Sequence, residues 1–282
     1  MTTAPENTDL VRMLVLETDE PHPSTKAAHG SFGAIFDDLF NDAGAKHTPP
    51  LKVETAMHYV VEDGSDNAGH VPDADEIPDD TRAILITGSM YDAHGNDEWI
   101  LKLLKLLQQL WKERPALRFS GVCFGHQILC RMLGATVDPH PGKAWELAHT
   151  KINLTNVGKE LCGTEKPTIR LHQMHQDHVT TLPSSKTTEL LRPQDEVRVW
   201  GETDHTDIQG VYLQDRLFTS QGHLGFDEKM VKRQVDMRVE SGGIKDGRFA
   251  EERKETAELE HDGAVVATAI LRLFHGEDRN IS

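Results

Sequence analysis

Cys123 lies between Gly121 and Gly125 in the run Phe119-Ser120-Gly121-Val122-Cys123-Phe124-Gly125-His126-Gln127. An apolar stretch precedes the cysteine and a helical pattern follows it, from Phe124 through Met132. This is the sequence form of a nucleophile elbow, a strand-to-helix turn that lifts one reactive side chain above the edge of a sheet. Small flanking residues suit the strained backbone and the close approach of its neighbours. At a helix start the thiol meets unpaired N–H groups and the positive end of the dipole, and both favour the thiolate. The bland alternative is an inert cysteine at the end of a core strand; the two glycines and the polar Gly-His-Gln favour the reactive one.

A cysteine nucleophile needs a base, and the chain offers 16 histidines. His223, in Thr-Ser-Gln-Gly-His-Leu-Gly-Phe-Asp, follows a predicted strand and precedes a predicted helix, as Cys123 does. Two adjacent strand ends can bring such side chains within hydrogen-bond reach. A surface histidine at a turn is the alternative. A second polar run, His172-Gln173-Met174-His175-Gln176-Asp177-His178, lacks the matching cysteine or acidic ligands of a zinc pattern, so we expect no metal site. No Walker-type Gly-rich run is present, and nothing suggests a cofactor. Cys130 falls on the same helical pattern as Cys123 and, with Cys162, reads as structural.

The elements that must position these groups alternate between strand and helix. Val11–Leu16, Val53–Val61, Ala83–Thr87 and Phe119–Val122 predict strands. Ser31–Leu39 predicts a helix with Gly44 as its stop, and Glu98–Lys112 predicts the strongest helix, striped by Trp99, Leu103, Leu106, Leu107 and Leu110. Lys151–Leu154, Thr168–Leu171, Glu196–Trp200, Gly210–Leu213 and Leu217–Ser220 are shorter strand candidates, some of them antiparallel. Helices are expected at Asp227–Val239 and within Arg248–Phe274. The rhythm implies an α/β fold: a mostly parallel twisted sheet with helices on both faces, and a reactive site at the carboxyl ends of its strands. We read residues 1–282 as one domain, with 62–80 an acidic surface loop and 227–282 a C-terminal helical region packing on it.

The formal net charge of −16, from 46 acidic and 30 basic residues, argues against nucleic acid and anionic membrane surfaces as partners. Three cysteines make no disulfide framework and fit a reducing compartment. No apolar run approaches the roughly 20 residues of a membrane span. The polar N-terminus lacks the pattern of a signal peptide, so the expected location is cytoplasmic.

On these residues the chain resembles the class I, or triad-type, glutamine amidotransferases. Gly121-Val122-Cys123-Phe124-Gly125-His126-Gln127 is similar to that family's nucleophile motif. Ile86-Thr87-Gly88-Ser89 resembles its oxyanion loop, Met174-His175-Gln176-Asp177-His178-Val179 its substrate-side segment, and Ser220-Gln221-Gly222-His223 the segment of its catalytic histidine. Trp145-Glu146-Leu147 after Pro-Gly-Lys-Ala resembles the stand-alone eukaryotic subgroup, with fungal members and plant γ-glutamyl peptidases.

The resemblance implies a flavodoxin-like fold and a concrete chemistry. The Cys123 thiolate attacks the side-chain amide carbon of glutamine or a γ-glutamyl amide, and His223 protonates the departing amine and then activates water. The N–H groups of Phe124 and of Gly88 or Ser89 hold the oxyanion, and Gln127, His175 and Asp177 lie on the substrate side. Ammonia passes to an acceptor if a synthetase partner is present, which leaves room for a role in building nitrogen-containing small molecules.

One departure weakens that picture. The family's His-Pro-Glu is His223-Leu224-Gly225 here, so the carboxylate that orients the imidazole is missing. In a serine triad that loss costs about four powers of ten in turnover. Asp227 and Glu228 are nearby carboxylates, although Asp227 also fits a helix cap. Three readings therefore stand: an active amidotransferase or γ-glutamyl hydrolase, a degenerate binding or regulatory relative, and a different reaction on the same elbow.

Overall fold

The computed structural model describes residues 9–65, 67–278 and 281. The polar N-terminal residues 1–8 and residue 66 of the acidic segment lie outside the described residues. The chain runs through β1 (Leu10–Glu17), α1 (Pro23–His29), α2 (Phe32–Lys46) and β2 (Lys52–Tyr59). After an irregular stretch come β3 (Ala83–Ile86), α3 (Glu98–Glu113), β4 (Arg118–Val122) and α4 (Phe124–Met132). The later half carries β5 (Val137–Pro139), β6 (Glu146–Leu154), α5 (Asn156–Cys162), β7 (Thr168–His175), β8 (Asp177–Val179), β9 (Arg198–Glu202), β10 (Gly210–Leu213) and β11 (Leu217–Ser220). Then follow α6 (Glu228–Glu240), α7 (Gly247–Lys254) and α8 (Gly263–His275).

The main sheet has the order β2-β1-β3-β4-β11-β10-β9-β6-β7. Every neighbouring pair from β2 to β11 is parallel and every pair from β11 to β7 antiparallel, so only β10 and β6 run against the rest. This is the expected α/β fold, mostly parallel with helices on both faces. Parallel neighbours need crossovers, and α2 (between β1 and β2) and α3 (between β3 and β4) provide them.

Side-chain alternation builds a core on each face. Leu14 and Leu16 of β1 and Ile84 and Ile86 of β3 join α3 and α4 on one face. Val11, Met13 and Val15, with Ala83 and Leu85, join α2, α5 and α8 on the other. Burying each of these large side chains contributes roughly 1.5–3 kcal/mol. Met230, Val231 and Val235 of α6 and Ala250 of α7 pack with Leu147, Met174 and Phe226, which brings α6 over the β6–β7 end.

Several elements differ from expectation. Gly44 does not stop α2; it is buried inside the helix, where an added Cβ would collide with the Leu51 carbonyl. The seven-residue α5 escapes a periodicity search because it is short and contains Gly158, whose missing Cβ admits the Trp200 carbonyl. The strand expected at 168–171 continues to His175 and carries buried His172, Gln173 and His175. The acidic segment at 62–80 forms no helix or strand among its described residues. Arg114 ties it down by donating to the carbonyls of Ala74 (2.9 Å), Ile77 (2.7 Å) and Pro78 (3.0 Å).

Candidate active site

Strands β4 and β11 lie side by side, with Val122 in register with Ser220. Cys123 follows directly, and its N–H donates to the Ser220 carbonyl (2.8 Å). Its backbone has φ 55° and ψ −108°, a left-handed conformation that costs a non-glycine residue on the order of 1–3 kcal/mol. The flanking glycines make the turn fit. A Cβ on Gly125 would strike the Ile86 carbonyl, and one on Gly121 would strike the Gly125 backbone. The Gly125 N–H is committed to the Thr87 carbonyl (3.1 Å), which pins α4 to the end of β3.

His223 enters from the end of β11, and its N–H donates to the His172 carbonyl (2.8 Å). A Cβ on Gly88 would stand 3.0 Å from Cε1 of His223 and 3.5 Å from Cβ of Cys123, so the Gly88-Ser89 loop, the imidazole and the thiol-bearing residue converge. Gly88 and Ser89 line the cavity that Cys123 and His223 also line. Ser89 is held there by its hydroxyl, which donates to the Thr18 carbonyl (2.6 Å). Among the described residues no hydrogen bond joins the imidazole to the sulfur, and His223 Nε2 is buried without a partner.

Among the described residues no carboxylate pairs with the His223 imidazole. Asp227 accepts the Met230 N–H (2.8 Å) as the cap of α6 and pairs with His29 (3.1 Å). Glu228 pairs with Lys232 (2.6 Å). The imidazole rests instead on Phe226, with ring centroids 3.8 Å apart.

The expected lowering of the thiol pKa is reversed. Burial pushes Cys123 up to about 12, although the Phe124 N–H, the Arg238 charge and Gln221 pull the other way. Burial also pushes His223 down to about 3, with His175 and His172 adding to the effect. The helix-start terms are present, but desolvation outweighs them. The resting pair is therefore a neutral thiol beside a neutral imidazole.

Gln127, His175 and Asp177 do not line this cavity; Met174 is the wall residue from their segment. They form a polar support behind the elbow, Gln127 and His175 buried and Asp177 half-buried. Gln127 donates to the Asp177 carbonyl (2.8 Å) and to Gln221 Oε1 (3.0 Å). His175 is held between Glu146 Oε2 (2.8 Å) and the Asp177 carbonyl (2.9 Å). Burial opposes ionisation of Glu146, but the contact with His175 wins and holds its carboxyl below the ordinary range. Gln209 donates to Glu146 (2.7 Å) and accepts from Gln173 (2.8 Å), extending the network across β7 and β10.

Two side-chain groups bring ligand-type atoms within 4.8 Å of one another: His47, His275 and Glu277, and Asp92, His94 and Asp177. Hydrogen-bonded histidine–carboxylate pairs account for the first, and a His94–Asp177 contact of 3.3 Å links two members of the second.

The cavity at Cys123 has a volume of about 50 Å³, enough for a few waters. Asp19, Arg238 and Phe226 are among the walls that sequence reasoning missed. Asp19 sits just past the carboxyl end of β1, where the sheet rule could have found it. Arg238 and Phe226 come from the C-terminal region and become visible only once α6 is docked.

The model of the class-I glutamine amidotransferases matches residues 69–234. A glutamine amidotransferase-like protein of Schizosaccharomyces pombe is 28% identical over 221 residues, covering 78% of this chain and 82% of that protein. Gamma-glutamyl peptidase 3 of Arabidopsis thaliana is 29% identical over 211 residues, covering 73% of this chain and 78% of its own. Among solved structures, a glutamine amidotransferase from Thermotoga maritima superposes with a TM-score of 0.60 at 16% identity, covering 94% of this chain and 98% of that one. Among the described residues no helix is long and apolar enough to cross a membrane. With more than half its length matched by the family model, the chain belongs to the class-I glutamine amidotransferase family.

Proposed function

We propose that this protein hydrolyses the side-chain amide of glutamine, or a γ-glutamyl amide, through a thioester on Cys123. The observation that carries this reading is the strained Cys123 backbone at an elbow whose cavity also holds His223. Strain of this kind persists only where the surroundings enforce it, and it clusters at reactive sites.

The Cys123 thiol gives its proton to His223 as sulfur bonds to the amide carbon. The oxyanion is stabilised by the N–H of Phe124 and those of Gly88 or Ser89. The C–N bond breaks as the imidazolium protonates the leaving amine. Water, deprotonated by His223, then releases glutamate and the free thiol. The neutral resting pair suits this sequence if proton transfer accompanies attack. Ammonia or an amine is the second product, and a synthetase partner could receive the ammonia.

The missing carboxylate favours a second reading, a relative that binds a glutamyl group with little turnover. The two separate on one experiment: glutamate release from glutamine and from γ-glutamyl peptides by wild type and Cys123→Ala. Cys123-dependent release supports the hydrolase. Release that is absent from folded wild type supports the binding reading.

A further inference from the structure

The cavity at Cys123 contains two opposite charges that the bond-breaking chemistry does not use. Asp19 lies on one wall, its Oδ2 accepting the Met90 N–H (2.8 Å) and its Oδ1 the Glu20 N–H (2.8 Å). Both donors are backbone groups of its own rim, and each oxygen keeps a further acceptor site for a ligand. Arg238 reaches the same cavity from α6. Its guanidinium stacks over Trp145, with Cζ 5.6 Å from the ring centroid. It forms no ion pair among the described residues, and its Nε is buried without a hydrogen-bond partner.

Asp19 ties its own rim and Arg238 packs on Trp145, but among the described residues neither has a side-chain ion-pair partner. A half-buried guanidinium without a carboxylate is costly, and an arriving anion removes that cost. Asp19 is pushed up to about 6 by burial, which outweighs the pull of the Met90 and Glu20 N–H groups and of the Arg238 charge. The two charges act on one another without forming an ion pair, and both line the same cavity. The side chains of Met90 and Met174 on the walls are flexible and can turn aside to admit a ligand.

A glutamyl group carries an ammonium and a carboxylate on one carbon, two methylenes away from its reactive carbonyl. We propose that Asp19 and Arg238 are the specificity residues of this site, binding the α-ammonium and the α-carboxylate respectively of a free glutamyl group. The donor is then an unblocked γ-glutamyl α-amino acid, and a glutamine within a peptide chain is rejected. This inference rests on Cys123 being the nucleophile.

The test uses glutamine and γ-glutamylglycine, each beside its des-amino (glutaryl) and des-carboxy (4-aminobutyryl) analogue. Specificity constants are compared for wild type, Asp19→Asn and Arg238→Gln, with Arg238→Lys as a second variant should the glutamine substitution not fold. Wild type should prefer the intact donor over either analogue by about 10- to 100-fold, the worth of one charge-assisted hydrogen bond. Asp19→Asn should lose the preference for the amino group alone, and Arg238→Gln the preference for the carboxylate alone, chiefly through KM. Arg238→Lys should lose part of the carboxylate preference.

Variants that keep wild-type preferences, or that lose activity equally on every donor, overturn the inference and leave the Cys123 chemistry standing. No turnover and no Cys123 acyl adduct from folded wild type overturns the nucleophile and the inference with it.

Discussion

The imidazole of His223 lies flat against the ring of Phe226, centroids 3.8 Å apart and planes 13° from parallel. A stacked ring can fix the plane of an imidazole, but it cannot accept an N–H in that plane or stabilise an imidazolium as a carboxylate does. Nε2 is accordingly buried with no partner. Phe226 thus supplies orientation without charge.

Phe226→Ala should therefore lower kcat by up to about tenfold, matching the 0.5–1.5 kcal/mol of an aromatic pair, with little change in KM. Steady-state kinetics on any accepted donor check this. An unchanged kcat would show that the stacking does not orient the base.

Gly225→Glu does not restore a triad by itself. A Cβ at that position stands 2.7 Å from Cγ2 of Ile35, so the Ile35 side chain or its neighbour must shift. The single substitution should lower the melting temperature. Gly225→Glu combined with Ile35→Ala should regain stability and raise turnover above that of Ile35→Ala alone. No kinetic gain in the folded double variant would mean that the new carboxylate fails to reach Nε2.

Glu146 and His175 form a buried hydrogen-bonded pair of 2.8 Å behind the elbow, and Gln209 completes the shell of the carboxylate. Glu146→Ala takes the buried acceptor away from His175 Nε2 and Gln209 Nε2 and should cost about 3–5 kcal/mol in chemical denaturation, the usual cost of breaking a buried pair. Glu146→Gln keeps one acceptor and should cost less. Equal, small losses would mean that the pair carries no stability.

Acid should destabilise the fold. In the unfolded chain a histidine takes up a proton near pH 6.5, whereas burial holds His126 and His223 down to about 3 and His172 down to about 4. Between these values the unfolded state binds more protons, so stability falls as the pH drops below 6.5. At pH 5 each site contributes a loss on the order of 2 kcal/mol. Asp19, raised to about 6 by burial, acts in the opposite sense between pH 6 and 3.8, and burial raises Asp177 likewise, whereas His178, His205 and His261, also lowered by burial, add to the loss. Denaturation midpoints at pH 7.5 and 5 should show a clear fall; equal midpoints would contradict the buried, neutral histidines.

The elbow was legible because its constraints are local. The strained Cys123 backbone and the Gly125 contact with β3 need glycines at fixed offsets, and these stand in the sequence. The α3 stripe was legible for the same reason: seven buried residues recur at helical spacing. The thiol pKa was misjudged because a helix start can be seen in sequence, whereas the burial that dominates it is a property of the whole fold. The resemblance put Gln127, His175 and Asp177 on the substrate side; alternation along β7 turns Met174 into the cavity and His175 away from it, a detail that depends on how the strand is seated in the sheet. Arg238 carries no local signal, being one cation on a surface helix until α6 packs over β6 and β7.

The most direct measurement is intact-protein mass spectrometry of wild type quenched in acid during turnover of glutamine or γ-glutamylglycine, with peptide mapping and Cys123→Ala in parallel. The account predicts a hydroxylamine-sensitive glutamyl adduct on the peptide containing Cys123, absent from the variant, together with loss of glutamate release. Glutamate release that survives Cys123→Ala, or an adduct mapped to another residue, would contradict it.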